Sequence, residues 1–165
     1  MWTPDALTTL MFLADATERI RVGSYVMCVD FHHPAVLARA LLNLDELSDG
    51  RLEIGLGAGY IREEYEAAGI ALASGATGLE RLQETTAILK EMLVKETGSF
   101  AGRHFQLANQ MALPRPVSSP GHRCCSAEAA KGSSNGRPAR RTSSAWSRGR
   151  PRRATHGCRA WRPQP

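Results

Sequence analysis

The chain has 165 residues, enough for one domain, and a formal charge of +5 that is unevenly placed. Residues 121–165 hold eleven basic residues against one acid and lack Leu, Ile, Val, Met, Phe and Tyr, whereas residues 1–120 carry −5. No apolar run approaches the roughly 18 residues of a membrane span, the first residues lack the basic-then-apolar pattern of a secretory signal, and the four cysteines show no metal-ligand spacing. A membrane span, a signal peptide and a metal centre are therefore not expected, and we read the chain as cytoplasmic.

In chain order, residues 3–18 predict a helix, with Thr3 as N-cap, Pro4 at the first helical position, and Leu7, Leu10, Met11 and Ala14 at helical spacing. "RIRVGSYVMCV" (19–29) reads as a strand apolar on both faces, as in a buried parallel sheet. After a "DFHH" loop, Pro34 opens a second helix with Val36, Leu37, Ala40, Leu41, Leu44 and Leu47 on one side, stopped by Gly50. "RLEIGLG" (51–57) is a second strand, with Leu52, Ile54 and Leu56 alternating, and "GAGYIREEYEAAGI" reads as a glycine-rich loop. Thr77 and Glu80 have capping-box spacing before a helix running to about Lys95. "GSFAGRHFQL" (98–107) suggests a hairpin turning at Gly102, and "PRPVSSP" (114–120) is a connector.

Strands joined through helices specify parallel pairing and right-handed crossovers. A doubly wound sheet and a (β/α)₈ barrel both satisfy that order, and two strands close neither.

"GLGAG" (55–59) follows a strand, but no third glycine stands three residues after Gly57, so the dinucleotide fingerprint fails. Alternating glycines instead mark a strand end that something approaches closely. His32 and His33 fall where a barrel strand would end, on the usual active-site rim. Loop histidines beside a helix start are the plainer reading, above all for His32. Glu63, Glu64 and Glu66 offer acid–base groups, although for Glu64 and Glu66 complementing a helix dipole suffices.

The string "HPAVLA…LDELSDGRLEIGLGAGY…EEY", continued by "RLQETTAILKEML…GSFAGRHFQL…PRPV", resembles the luciferase-like monooxygenase superfamily over roughly residues 3–120. It is most similar to the branch that uses the deazaflavin coenzyme F420. The resemblance implies an α/β fold, a partial (β/α)₈ TIM barrel in which residues 20–29 and 51–57 are the third and fourth strands. It implies a non-proline cis bond between Ser24 and Tyr25 behind the cofactor ring. Gly57, Ala58, Gly59 and Tyr60 then line the ring, and Glu63 faces the cofactor. Coenzyme F420, or alternatively FMN, is the implied cofactor, with a small-molecule substrate and frequent homodimers. No catalytic residue is assigned: in related sugar-phosphate dehydrogenases the catalytic histidine follows the second strand, and an acid stands where this chain has Tyr60.

After "PRPV" the family continues with an apolar strand, a glycine turn and a helix whose N-terminus holds the cofactor phosphate, as helix N-termini do generally. This chain reads "SSPGHRCCSAEAAKGSSNGRPARRTSSAWS" there. Reading codons from the third base, with G or C at the free position, yields an apolar strand, a four-glycine turn and an amphipathic helix over 121–147. The expectation is thus a partial luciferase-like domain over 1–120 and an out-of-frame, disordered tail over 121–165, with the fragment inactive by itself. A basic nucleic-acid arm is the alternative class for that tail, but nucleic acid is not the expected partner.

Overall fold

The structure, a computed structural model, describes residues 4–117 and the backbone of 123–127. These lie in the first of the chain's two units, 1–132. The remaining residues, including most of the expected tail, lie outside the described residues.

Helix α1 spans Ala6–Asp15. Its N-cap is Asp5, not Thr3, because the Asp5 carboxylate accepts the Thr8 N–H at 2.7 Å. That same N–H holds the Asp5 carboxyl below its ordinary range. The first strand is split into β1 (Val22–Gly23) and β2 (Met27–Cys28), and a 3₁₀ turn follows over Val29–Phe31. Helix α2 spans Pro34–Leu47 with Pro34 in its first turn, as expected. Its buried stripe is Leu37, Ala38, Leu41, Leu42 and Leu44, while Val36 and Leu47 are exposed. Strand β3 is Leu52–Gly57. The segment read as a loop contains a helix, α3 (Arg62–Ala68), closed by Gly69 in the left-handed conformation.

Helix α4 spans Gly75–Met92. Its N-cap is Ser74, whose hydroxyl accepts the Thr77 N–H at 3.3 Å, so the expected Thr77–Glu80 capping box does not form. Glu80 instead meets His104 and Arg103. Strands β4 (Thr97–Ala101) and β5 (Gln106–Met111) make the antiparallel hairpin.

The parallel sheet is built around β3. Val22 pairs with Leu52, and Met27 with Leu56. Three residues therefore separate Gly23 from Met27 where β3 has two, the definition of a bulge. The opposite edge of β3 pairs with β6 (Arg123–Ala127) from Glu53 to Gly57. This corrects the reading of 121–165 as irregular throughout. Main-chain groups make the ladder, so an open parallel edge can be paired by a segment without Leu, Ile or Val.

Leu52, Ile54 and Leu56 face the helices and join one buried cluster with Leu37, Leu41 and Leu44 of α2 and Leu82, Ile88 and Leu89 of α4. Burying each such side chain contributes about 1.5–3 kcal/mol. Two polar clamps complete the packing. Arg51 donates to the carbonyls of Ala14, Ile20 and Ser48 at 2.8, 2.8 and 2.6 Å, and to Thr17 Oγ1 at 3.1 Å. It thereby joins the end of α1, the entry to β1 and the end of α2. Ser48, Asp49 and Gly50 prepare that position, Ser48 as C-cap and the next two at φ 51° and 73°. At the connector, the buried Asp45 carboxylate accepts the Val117 N–H at 2.9 Å.

The second clamp is Glu84 on α4, whose carboxylate accepts the N–H groups of Arg103, His104 and Phe105 at 2.8, 3.0 and 3.0 Å. Burial pushes the Glu84 carboxyl up, but the three N–H donors together hold it below the ordinary glutamate value.

Replacing Arg51 by Ala is expected to lower unfolding stability by about 2–4 kcal/mol, because hydrogen bonds to charged groups contribute roughly 1.5–3 kcal/mol each and are not additive. Arg51→Lys, unable to fork, should recover less than half; urea denaturation with full recovery by Lys would contradict the clamp. For Glu84 the depressed folded value makes its stabilisation complete above the unfolded value and lost as pH falls through the folded one. The amide resonances of 103–105 should then shift together with a midpoint below 4.5, the unshifted value; a midpoint above it would contradict this.

Candidate functional site

β2 and β3 are parallel and end together at Cys28 and Gly57, so the bulge and the turn after β3 share one rim of the sheet. At the bulge, Ser24 has left the backbone ladder but is tied to β3 by its side chain. Its hydroxyl donates to the Gly55 carbonyl at 2.8 Å and accepts the Gly55 N–H at 3.2 Å. The cis peptide bond joins Tyr25 and Val26, one residue later than the resemblance implied. The backbone ladder stops at Gly23, and the Ser24 hydroxyl keeps the first bulge residue against β3.

The alternating glycines of β3 answer to this bulge. A Cβ on Gly55 would overlap the Ser24 carbonyl oxygen, which is backbone and cannot move aside. A Cβ on Gly57 would stand 2.7 Å from Val26 Cγ2. Gly59 has φ +75° and packs against the Tyr65 hydroxyl and Cys28 Sγ, leaving room for no side chain. What approaches the strand end is thus the bulge on one side and Tyr65 on the other.

The residues expected at a cofactor divide into two groups. Tyr25 at the bulge apex is 94% exposed, Val26 42% and Tyr60 82%; they offer apolar surface to solvent beside a strand end without side chains. Ser24, Gly57, Ala58 and Gly59 are buried or half-buried and shape the backbone beneath. The structure brings 24–26 together with 55–57 across the strand pair. Glu63 is exposed in the first turn of α3.

Sequence reasoning missed the polar cluster that supports this rim. Tyr65 of α3 is 1% exposed. Its hydroxyl lies 3.2 Å from Cys28 Sγ, 3.0 Å from Asp30 Oδ2 and 3.2 Å from the Ala58 carbonyl. Burial first, then the neighbouring Cys28 and Asp30, raise its pKa, so the phenol remains a neutral donor. Its single proton is shared between Asp30 and Ala58, and the Cys28 thiol can donate to its oxygen. Asp30, with 3% of its side chain exposed, also pairs with Arg81 of α4 at 3.4 Å. Through Tyr65 and Asp30 the turn after β3, the turn after β2 and helix α4 hold one another. A lone aromatic in the acid-rich "REEYEAA" was the available signal for Tyr65. His33 proves to be the N-cap of α2, its Nδ1 accepting the Ala35 N–H at 3.3 Å.

An open, apolar ledge with a flat glycine floor, set at the C-terminal rim of parallel strands, suits a planar heteroaromatic ring. No group of three or more potential metal ligands occurs among the described residues, and no described helix is long and apolar enough to cross a membrane.

Comparison with known proteins agrees with this geometry. The sequence pattern of the luciferase-like monooxygenase family matches residues 1–132. The F420-dependent glucose-6-phosphate dehydrogenase of Amycolatopsis mediterranei is 28% identical over 114 residues, 68% of this chain and 34% of that protein. The pyrimidine monooxygenase of Pseudomonas syringae is 30% identical over 114 residues, 68% of this chain and 31% of the relative. The chain therefore spans about a third of the length of these curated relatives. Among solved structures, the monooxygenase RslO1 of Streptomyces bottropensis superimposes with a TM-score of 0.68 at 27% identity, over 75% of this chain and 37% of that one. With the barrel-type strand order, the glycine-backed bulge and a family pattern covering most of its length, the chain belongs to the luciferase-like monooxygenase family.

Proposed function

We propose that residues 20–70 form the ring-binding part of an oxidoreductase that transfers hydride between coenzyme F420 and a small organic substrate. The observation that carries the reading is the ledge itself. The bulge 24–26 lies over Gly55 and Gly57, with Tyr25, Val26 and Tyr60 exposed around it. Its apolar character and missing side chains fit a flat ring. The similarity to F420-dependent glucose-6-phosphate dehydrogenase favours the deazaflavin. The bound coenzyme supplies the carbon that gives or takes hydride, and the protein supplies orientation.

In this reading Val26 supports one face of the ring, and the Gly57–Tyr60 turn, fixed by the Tyr65 hydrogen bond to Ala58, contacts its edge. Ser24 acts from behind by keeping the bulge on β3. Glu63 extends the rim toward the coenzyme. Turnover belongs to a closed barrel of about eight strands, so the chain as given is expected to bind coenzyme and not to turn over substrate. An FMN-dependent monooxygenase is the second reading, favoured by the pyrimidine monooxygenase and RslO1 similarities.

Fluorescence titration of the chain with coenzyme F420 and with FMN separates the two. Saturable binding of F420, with FMN weaker, is expected; tight FMN binding and none of F420 would overturn the first reading. Gly57→Ala should push Val26 into the ring's place and weaken binding on the order of tenfold, or ~1.4 kcal/mol. Adding Val26→Ala should restore it, since the Val26 Cβ stands at an ordinary 3.6 Å. Binding unchanged in Gly57→Ala would place the ring elsewhere.

A further inference from the structure

A cavity of about 300 Å³ lies where the 3₁₀ turn, helix α4 and the hairpin tip meet. None of its lining residues belongs to the ledge. Phe31 and Phe105 form apolar walls, and Asp30, His32, His33, Arg81 and His104 supply the polar groups.

Arg81 is the cation of this lining, and its carboxylate neighbours are already engaged. Asp30 is used at both oxygens, Oδ1 by Arg81 and Oδ2 by Tyr65. Glu80, which borders His104, is used at both of its oxygens by Arg103 and His104. Arg81, by contrast, is anchored through Nη1 alone, and its side chain is 35% exposed. Its Nε and Nη2 have no partner among the described residues. His33 accepts the Ala35 N–H at Nδ1, which places the proton of the neutral ring on Nε2 as a further donor. Its ring stands edge-on to Phe105, with centroids 6.0 Å apart. Arg81 and His33 thus keep N–H groups without a partner among the described residues while both Asp30 oxygens already have one; His104, whose Nε2–H goes to Glu80, adds an acceptor at Nδ1.

We propose that this cavity is a site for a small oxyanion, the carboxylate or phosphate end of a small molecule. Arg81 binds it through the free side of its guanidinium, and His33 Nε2–H adds a donor. Asp30 holds Arg81 in place from behind, which preorganises the planar fork that suits carboxylate and phosphate. The inference is independent of the ring-binding reading, and a failed F420 titration leaves it standing.

The test is an amide NMR titration of the chain at low salt with two probes, inorganic phosphate and benzoate. Saturable shifts confined to residues 30–33, 81 and 104–105 are expected with at least one probe. Saturation by benzoate alone identifies a carboxylate ligand, and by phosphate alone a phosphate ligand. Arg81→Gln should weaken binding by about tenfold or more, with Arg81→Lys between the two because Lys keeps the charge but loses the fork. Should Arg81→Gln unfold by leaving Asp30 short of a partner, His33→Ser decides, since Ser retains the N-cap and is too short to place a donor where Nε2 stands. A several-fold loss in that variant supports the site. No saturable shift with either probe, or affinity unchanged in the folded variants, overturns it.

Discussion

Two missing Cβ atoms govern the rim of this molecule. Ser24 can bond to Gly55 through both its main-chain partners only because nothing projects from Gly55 toward the Ser24 carbonyl. Val26 can lie over β3 only because Gly57 leaves the space. The bulge is therefore a property of the strand pair, and neither strand carries it alone. A parallel pair without an extra residue would continue straight to its end. With it, three residues lift away from the ladder and present their surface at the end where barrel enzymes bind ligands.

The supporting structure follows from the same requirement of fixing loops on strand ends. Tyr65 reaches back from α3 to the Ala58 carbonyl, so the turn after β3 is held by a side chain seven residues later. The same hydroxyl holds Asp30, which holds Arg81. Because burial keeps the phenol protonated, these links persist at neutral pH. At the other end of the sheet, Arg51 gathers the ends of α1 and α2. One end of the sheet is thus fastened by charge-assisted bonds to carbonyls, and the other by a neutral hydroxyl against a buried acid.

Much of this was legible in the sequence, because it depends on local rules. Pro34, the Leu52–Ile54–Leu56 alternation and the Gly102 turn each specify their element directly. The alternating glycines correctly signalled close approach, but identifying what approaches requires a partner 31 residues away in sequence. The caps failed for a related reason. Thr3 and Thr77 are sound cap residues, yet Asp5 and Ser74 accept the first free N–H groups, and Glu80 was drawn to the hairpin instead. Helix α3 was concealed by its short length and the glycines before it. Strand β6 was concealed because a ladder made by backbone leaves no trace in the hydropathy of "RCCSA". The Asp30–Tyr65–Arg81 cluster joins three elements, and no spacing rule connects such positions.

The central claim is that the bulge and the turn after β3 together hold a flat redox coenzyme. Hydrogen–deuterium exchange of the chain with and without coenzyme F420 tests it most directly, since it reports where binding occurs. Protection confined to 24–28 and 57–63, with the hairpin 97–111 unchanged, is the predicted result. Protection outside those segments, or none at saturating coenzyme, would contradict the account.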